Sequence, residues 1–213
     1  MKQQIKLILG IIFIVFCRTG VPALGYVAIE GNLTFIGNAD TDSAVSPLVP
    51  GVGISLPIYF TRNLYLKTGL SLTGTNYMFN GTIPLPAEDE HREYLVLIPE
   101  ADCFFGFKLS ITRSLEWGMN GGFSIIPRFP IALFDSEAAD YNTVINWFYA
   151  DFRFFYPGTE LFLKWNIEEN WGIIFSGKAL FPLFHLWDKA VVPFWDQLMI
   201  SGSAGIFFGF SSK

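Results

Sequence analysis

Cysteine is scarce in this chain. Its 213 residues include two, Cys17 and Cys103, and Cys17 lies in an N-terminal segment that reads as removable. A single remaining cysteine excludes an intramolecular disulfide framework. Only two histidines are present, His91 and His185. His91 has Glu90 and Glu93 nearby but no serine, and His185 sits between Phe184 and Leu186. No spacing of histidine, cysteine and carboxylates matches a metal site, and neither a phosphate loop nor a nucleophile elbow occurs. The expectation is a protein with no catalytic residues, no cofactor and no metal. Charged residues make up only 15% of the chain, with a net charge of −5. This argues against nucleic acid as a partner, because the phosphate backbone is bound through clustered Lys and Arg.

Long unbroken apolar runs are also missing, although 51% of the residues are hydrophobic and 17% aromatic. A transmembrane helix needs roughly 20 consecutive apolar residues. The uncharged run over residues 43–61 contains Pro47, Pro50 and Pro57, which would break its helical hydrogen bonds. Such hydrophobicity without a spanning helix fits a chain that meets a bilayer through alternate residues only.

The first residues read as a secretory signal peptide. Lys2 and Lys6 form the positive region, residues 8–16 the apolar core, and Ala23 and Gly25 the small residues before a cut ahead of Tyr26. The competing lipoprotein reading, with Cys17 lipidated, is disfavoured by the bulk of Phe16 and by Arg18. The division is therefore a signal peptide over 1–25 and one domain over 26–213. Cleavage removes Lys2, Lys6 and Arg18 but no acid, taking the formal charge from −5 to −8.

Three short polar breaks, at 61–63, 112–114 and 166–170, lie about fifty residues apart and alternate with longer loops around 37–47, 80–92, 134–146 and 185–195. Between them run eight segments of period-two alternation, the signature of strands with two chemically different faces. Val27, Ile29, Leu33 and Phe35 oppose Glu30, Asn32 and Thr34; Leu115, Trp117, Met119 and Phe123 oppose Glu116, Asn120 and Ser124. The sixth segment changes phase at Tyr156-Pro157-Gly158, which predicts a β-bulge there. Most prolines fall 10 or more residues from the nearest short turn, about 25–35 Å up a tilted wall and near the rim of an apolar band about 25 Å tall. Pro57 alone falls inside the band with no account. Trp117, Trp165 and Trp171 flank the short turns, and Trp147 and Tyr149 lie towards the long loops, as two belts of membrane-interface aromatics.

The polar phase carries Glu30, Lys67, Glu100, Asp102, Lys108, Glu116, Arg128, Asp151, Arg153, Glu160, Lys164 and Lys178. In a membrane barrel these line the lumen. In a soluble lipocalin-like carrier they would face water, and Leu, Phe and Trp would crowd a lumen that eight strands barely leave open. The balance of six acids and six bases predicts ion pairs, because isolated charges in a narrow lumen are costly. Lys108 and Glu116 should face each other about Thr112, and Glu160 and Lys178 about Glu169. Glu100, Arg128, Asp151 and Arg153 should form a tier nearer the long loops, where Val49, Val96, Ile98 and Ile126 add apolar surface.

Residues 203–210 give the alternation a second meaning. A polar residue and a glycine two places on, Ser203 and Gly205, followed by two aromatics at period two, Phe208 and Phe210, resemble the terminal assembly signal of outer-membrane β-barrels, although the chain runs on through Ser211, Ser212 and Lys213. From residue 26 onward the chain resembles the small eight-stranded outer-membrane barrels of the OmpA, OmpX and OmpW type. That resemblance implies an all-β, eight-stranded antiparallel up-and-down barrel in the outer membrane of a diderm bacterium. Its implied partners are outer-membrane lipid and the barrel-assembly machinery. Three roles remain: a structural barrel with a charged, plugged lumen, a conduit for small solutes, apolar ones included, or a surface adhesin acting through its loops.

Overall fold

The computed structural model describes residues 23–38, 46–79, 83–87, 93–133, 141–186 and 193–210. Its strands are β1 (Ala23–Leu24), β2 (Tyr26–Ile36), β3 (Leu48–Tyr59), β4 (Leu64–Phe79), β5 (Pro84–Ala87), β6 (Tyr94–Ser110), β7 (Leu115–Ile125), β8 (Phe129–Leu133), β9 (Phe155–Glu168), β10 (Trp171–Leu180) and β11 (Met199–Gly209). Among the described residues an α-helix, α1 (Tyr141–Tyr149), precedes β9. The eight long strands β2, β3, β4, β6, β7, β9, β10 and β11 pair antiparallel in that order, and β11 returns to β2, so the sheet is closed. The short strands extend the wall at its ends: β1 pairs with β3, β5 with β4 and β8 with β6.

The register fixes the shape of the barrel. A path from Pro57 through Lys67, Phe104, Gly122, Gly158, Leu180, Met199 and Ile36 returns to β3 about ten residues from where it began. For eight strands such a stagger corresponds to a tilt of about 40°.

The turns at one end follow from repeated sequence. Thr61-Arg62-Asn63 and Thr112-Arg113-Ser114 fold alike. Thr61 Oγ1 accepts from the backbone N–H groups of Asn63 (3.3 Å) and Leu64 (3.0 Å), and Thr112 Oγ1 accepts from Ser114 (3.3 Å) and Leu115 (3.0 Å). A threonine hydroxyl that caps its own turn in this way substitutes for ladder bonds the chain cannot make while reversing.

Alternation sorts the side chains as expected, with the polar phase inside. Leu70 is 64% exposed on the outer wall, while Lys67, three residues earlier, is 5% exposed in the lumen. Exposed Ile29, Leu33, Ile54, Phe105, Leu161, Phe175, Ile206 and Phe208 continue the outer surface around the circumference. A water-soluble monomer does not expose apolar surface on this scale. Thr68, on the same face, satisfies its hydroxyl by donating to the Leu56 carbonyl at 3.2 Å.

Two expectations about the wall are corrected. No bulge interrupts the strand at Tyr156-Pro157-Gly158; its pairing with β7 runs unbroken through Ser124↔Tyr156, Phe123↔Pro157 and Gly122↔Gly158. The phase change arises because Ala150–Phe152 form a 3₁₀ turn and β9 begins only at Phe155. The shift in register between β9 and β10 lies instead at Trp171/Gly172. The loop expected over 134–146 also contains the start of α1.

Pro57 now has an explanation. β2 and β1 pair with β3 in registers that differ by one residue, so a bulge falls at Gly25/Tyr26 opposite Pro57. The Pro57 carbonyl accepts from Gly25 N–H at 3.0 Å, and the Gly25 carbonyl accepts from Phe210 N–H at 3.2 Å. The position opposite therefore asks Pro57 for no donor, which is where a strand tolerates proline. Gly25 is needed in return, since a Cβ there would overlap the Tyr59 ring.

Inward glycines admit large lumen side chains. A Cβ on Gly106 would overlap Tyr65 and Asn120, whereas one on the outward Gly177 meets nothing within 4 Å. Gly106→Ala should therefore lower the stability of the refolded barrel by about 1–3 kcal/mol through overpacking. Gly177→Ala should stay within about 0.5 kcal/mol of wild type. Urea unfolding in lipid vesicles measures both.

Candidate functional site: the barrel lumen

The lumen is layered. At the short-turn end, Lys108 Nζ contacts both carboxylate oxygens of Glu116 at 3.1 Å, and Lys164 Nζ reaches the same carboxylate at 3.4 Å. The facing of Lys108 and Glu116 across β6 and β7 is as the sequence predicts. Around them stand aromatic rings. Lys108 Nζ lies 4.7 Å from the centre of the Tyr59 ring, and Lys164 Nζ lies 4.8 Å from that of Tyr26 and 4.4 Å from that of Phe207. Tyr26, Ala28, Tyr65, Phe162, Ile174 and Phe207 pack into one buried apolar cluster here.

The middle layer is polar and spans the lumen. Lys67 on β4 donates to Glu160 on β9 at 2.7 and 2.8 Å, and Asn120 donates to the same carboxylate at 2.6 Å. Tyr65 in turn donates to Asn120 at 2.5 Å. Lys178 on β10 bridges Glu100 at 2.7 Å and Asp102 at 3.0 Å, both on β6. Ser124 donates to Asp102 at 2.5 Å. Glu30 accepts from two hydroxyls, Ser55 at 2.6 Å and Ser203 at 2.7 Å.

Glu160 and Lys178 are register partners on adjacent strands, as expected, but their ion pairs are not with each other. Each crosses to a strand three positions round the wall. An eight-stranded lumen is just wide enough for side chains to fill it, so a long side chain can reach the opposite wall. Phase along one strand carries no information about that partner.

The long-loop end is capped by packing. Tyr77, Val96, Ile98, Tyr156 and Leu180 from the strands, with Ile126 just past β7, meet Val144 and Phe148 of α1 and Phe184 in one buried cluster. Arg128, 1% exposed, lies within it. Its guanidinium donates to the phenols of Tyr77 (3.1 Å) and Tyr156 (2.7 Å) and to the Arg153 carbonyl (3.2 Å). The tier of Glu100, Arg128, Asp151 and Arg153 therefore does not form as one unit. Glu100 pairs lower down with Lys178. Asp151 is not a lumen residue: it sits in the 3₁₀ turn at φ 51, with its side chain half exposed. Arg153 stacks on the Trp147 ring at 4.2 Å and donates to the Trp147 carbonyl at 3.0 Å.

The aromatic belts are half as expected. Trp117 and Trp165 are exposed on the outer wall near the short turns, with Trp171 half-buried beside them. Trp147 and Tyr149 belong to α1 instead of the wall. Trp147 packs towards the inner cluster, and Tyr149 donates to the Arg128 carbonyl at 3.3 Å. Of the C-terminal residues, Phe208 and Phe210 face outward and are exposed, while Ser203 and Gly205 face inward beside Glu30. His91 lies outside the described residues. His185 Nε2 lies 2.9 Å from the Asp196 carbonyl oxygen.

Asn120 stands on the inner phase as the alternation predicts, whereas sequence reasoning from charges missed the uncharged lumen residues Tyr65, Phe104, Phe162 and Phe207. The signal was there as phase. In the doublets Phe104-Phe105 and Phe207-Phe208 only one ring can face lipid, and the neighbouring strands decide which. Between the clusters a polar cavity of about 40 Å³ remains, lined by Glu30, Asn32, Ser55, Lys67, Ser176 and Lys178 among others. At roughly 10–15 Å³ per water, it has room for about three.

Removing one member of a buried pair strands the other charge. Lys67→Met should destabilise the barrel by about 3–5 kcal/mol, and the double variant Lys67→Met/Glu160→Met by clearly less. Equal losses from the two, measured by urea unfolding in vesicles, would show that the pair is not coupled.

No protein-family model matches the sequence, and no curated protein matches it either. Solved structures do resemble the fold. Neisserial surface protein A is 12% identical, with a TM-score of 0.51 over 88% of this chain and 99% of that one. Ail, the attachment invasion locus protein of Yersinia pestis, is 10% identical over 88% of this chain and 98% of its own, with a TM-score of 0.49. The outer membrane protein OprG of Pseudomonas aeruginosa is 8% identical over 90% and 95%, also at 0.49. With its closed antiparallel wall, apolar exterior and charged interior, this chain has the fold of the small eight-stranded outer-membrane β-barrels.

Proposed function

We propose that this outer-membrane barrel is a closed, structural one that displays its loop-end elements on a rigid wall and conducts no solute. One observation carries the reading: the lumen's polar middle is bonded wall to wall between two packed apolar clusters, leaving a cavity of about 40 Å³. Hydrated ions need a continuous path wider than a water molecule, and a chain of ion pairs across the lumen would have to break to open one. Each break exposes buried charge at a cost of several kcal/mol. Val49, Val96, Ile98 and Ile126, which suggested an apolar solute path in the sequence, are buried in the cap with Phe148 and Phe184. Their burial supports a plug over a conduit.

On this reading, residues 1–25 direct export and are removed, β11 is the segment offered to the assembly machinery, and the lumen side chains perform no catalysis. Cleavage after Gly25 would detach Ala23–Leu24 from β3 and take away the Gly25 half of the bulge, leaving Tyr26, at the chain end, opposite Pro57. Mass spectrometry of the exported protein should find Tyr26 as the first residue.

The refolded protein in planar bilayers should give no discrete conductance steps while keeping heat-modifiable migration on gels. Reproducible unitary steps from the wild-type protein would overturn the closed reading and favour a conduit.

A further inference from the structure

A lysine, an asparagine and a carboxylate meet inside the lumen in an arrangement that ion pairing alone does not require. Lys67 Nζ and Asn120 Nδ2 both stand on one oxygen, Glu160 Oε1, at 2.8 and 2.6 Å. The other end of the amide is held as well, since Asn120 Oδ1 accepts from the Tyr65 hydroxyl at 2.5 Å. A carboxylate only accepts, so Glu160 fixes which end of the amide faces it. All four residues are buried, none more than 5% exposed.

The closed wall builds this group from three strands. Tyr65 and Lys67 point inward from β4, and Asn120 on β7 is the register partner of Glu160 on β9. Between β4 and β7 runs β6, which places Gly106 in register with both Tyr65 and Asn120. With no side chain at Gly106, the Tyr65 ring passes over β6 to reach the amide. Phe104 is the register partner of Lys67, and the Phe162 ring centre lies 6.3 Å from that of Tyr65. Apolar rings therefore stand beside the polar group.

We propose that Lys67 and Asn120 condense into an isopeptide bond, with Glu160 carrying the protons and Tyr65 holding the carbonyl oxygen. Away from water, an ammonium–carboxylate pair loses much of its advantage over the neutral amine and acid. One proton passes from Lys67 to Glu160, and the freed lone pair of Nζ attacks Asn120 Cγ. A small swing of the lysine chain brings Nζ to the roughly 3–3.5 Å from which such attack proceeds. Negative charge gathers on Oδ1, where the Tyr65 hydroxyl stabilises it. Glu160 then gives its proton to Nδ2 and takes a second one from Nζ as the Cγ–Nδ2 bond breaks. Ammonia leaves, a secondary amide joins Lys67 to Asn120, and Glu160 ends as the neutral acid. Nothing is oxidised or reduced, and no co-reactant enters. The cavity of about 40 Å³, lined by both Lys67 and Glu160, has room for the departing molecule.

The ion-paired lumen is the state before this bond closes. The step occurs once per chain and turns over no substrate. Its product ties β4 to β7 covalently across β6. Lys178 also lies between two acids, Glu100 and Asp102, but an ionised carboxylate resists attack by an amine, and no amide takes the place of Asn120 there.

The test follows the intact mass of the whole barrel, both purified from membranes and refolded in detergent. Loss of ammonia lowers the mass by about 17 Da, and digestion should yield one branched peptide joining Lys67 to Asn120. Asn120→Ala and Glu160→Gln should keep their full mass and give only linear peptides. Tyr65→Phe should slow bond formation by about a hundredfold. Heat-modifiable migration confirms that each variant is folded, and the wild-type mass and peptides decide the matter where a variant is not. Full mass in the folded wild-type protein after several days would overturn the proposal. So would ammonia loss confined to a linear peptide, which marks cyclisation of Asn120 onto Gly121 instead, or a branched peptide from the folded Glu160→Gln variant.

Discussion

Closure of β11 against β2 is the constraint on which the rest of this molecule depends. Inside a bilayer no water is available to a free backbone N–H or C=O, so a sheet can span it only if every strand has two neighbours. The eleven register pairs from Met199↔Ile36 to Gly209↔Tyr26 supply the last of these. Once the wall is closed, its residues have only two destinations, lipid or lumen, and period two assigns each in turn. The terminal residues Phe208 and Phe210 face lipid for the same reason that Ser203 reaches Glu30 inside.

The lumen then solves a problem that closure creates. Eight strands enclose too little space for bulk water and too much to leave empty. The chain fills the ends with rings and branched side chains and the middle with charges bonded to the opposite wall. The middle layer resists opening for an electrostatic reason, because each cation there is the principal partner of a carboxylate on a distant strand. Lys67 ties β4 to β9, and Lys178 ties β10 to β6. These bonds brace the wall across its diameter, which ladder hydrogen bonds cannot do. Arg128 shows a different solution at the cap, where two phenols, a carbonyl and two ring faces surround a buried guanidinium.

Much of this was legible in the sequence, and the failures have definite causes. The facing of Lys108 and Glu116 followed from their equal distance to Thr112, because a tight turn fixes register for the residues beside it. Asp151 was misplaced because alternation was extended into a segment that is a 3₁₀ turn, where period two does not apply. The bulge expected at Tyr156 was the same error seen from the strand side. Trp147 and Tyr149 were assigned to an outer belt from their position along the chain, whereas α1 carries them over the mouth. Pro57 could not be understood from β3 alone, since its tolerance depends on what the start of a different strand places opposite it.

What the sequence determined by itself was everything governed by local periodicity: the strands, their two faces, the short turns capped by Thr61 and Thr112, and the location of charge on the inner phase. These follow from geometry within a single strand, where successive side chains must alternate. Tertiary structure alone decided which charges meet, because partners such as Lys67 and Glu160 are brought together by the stagger of the closed wall and the width of the lumen. It also decided that the mouth is capped, since α1 gains its place only by burying Val144 and Phe148 against strands that the closed barrel has already assembled.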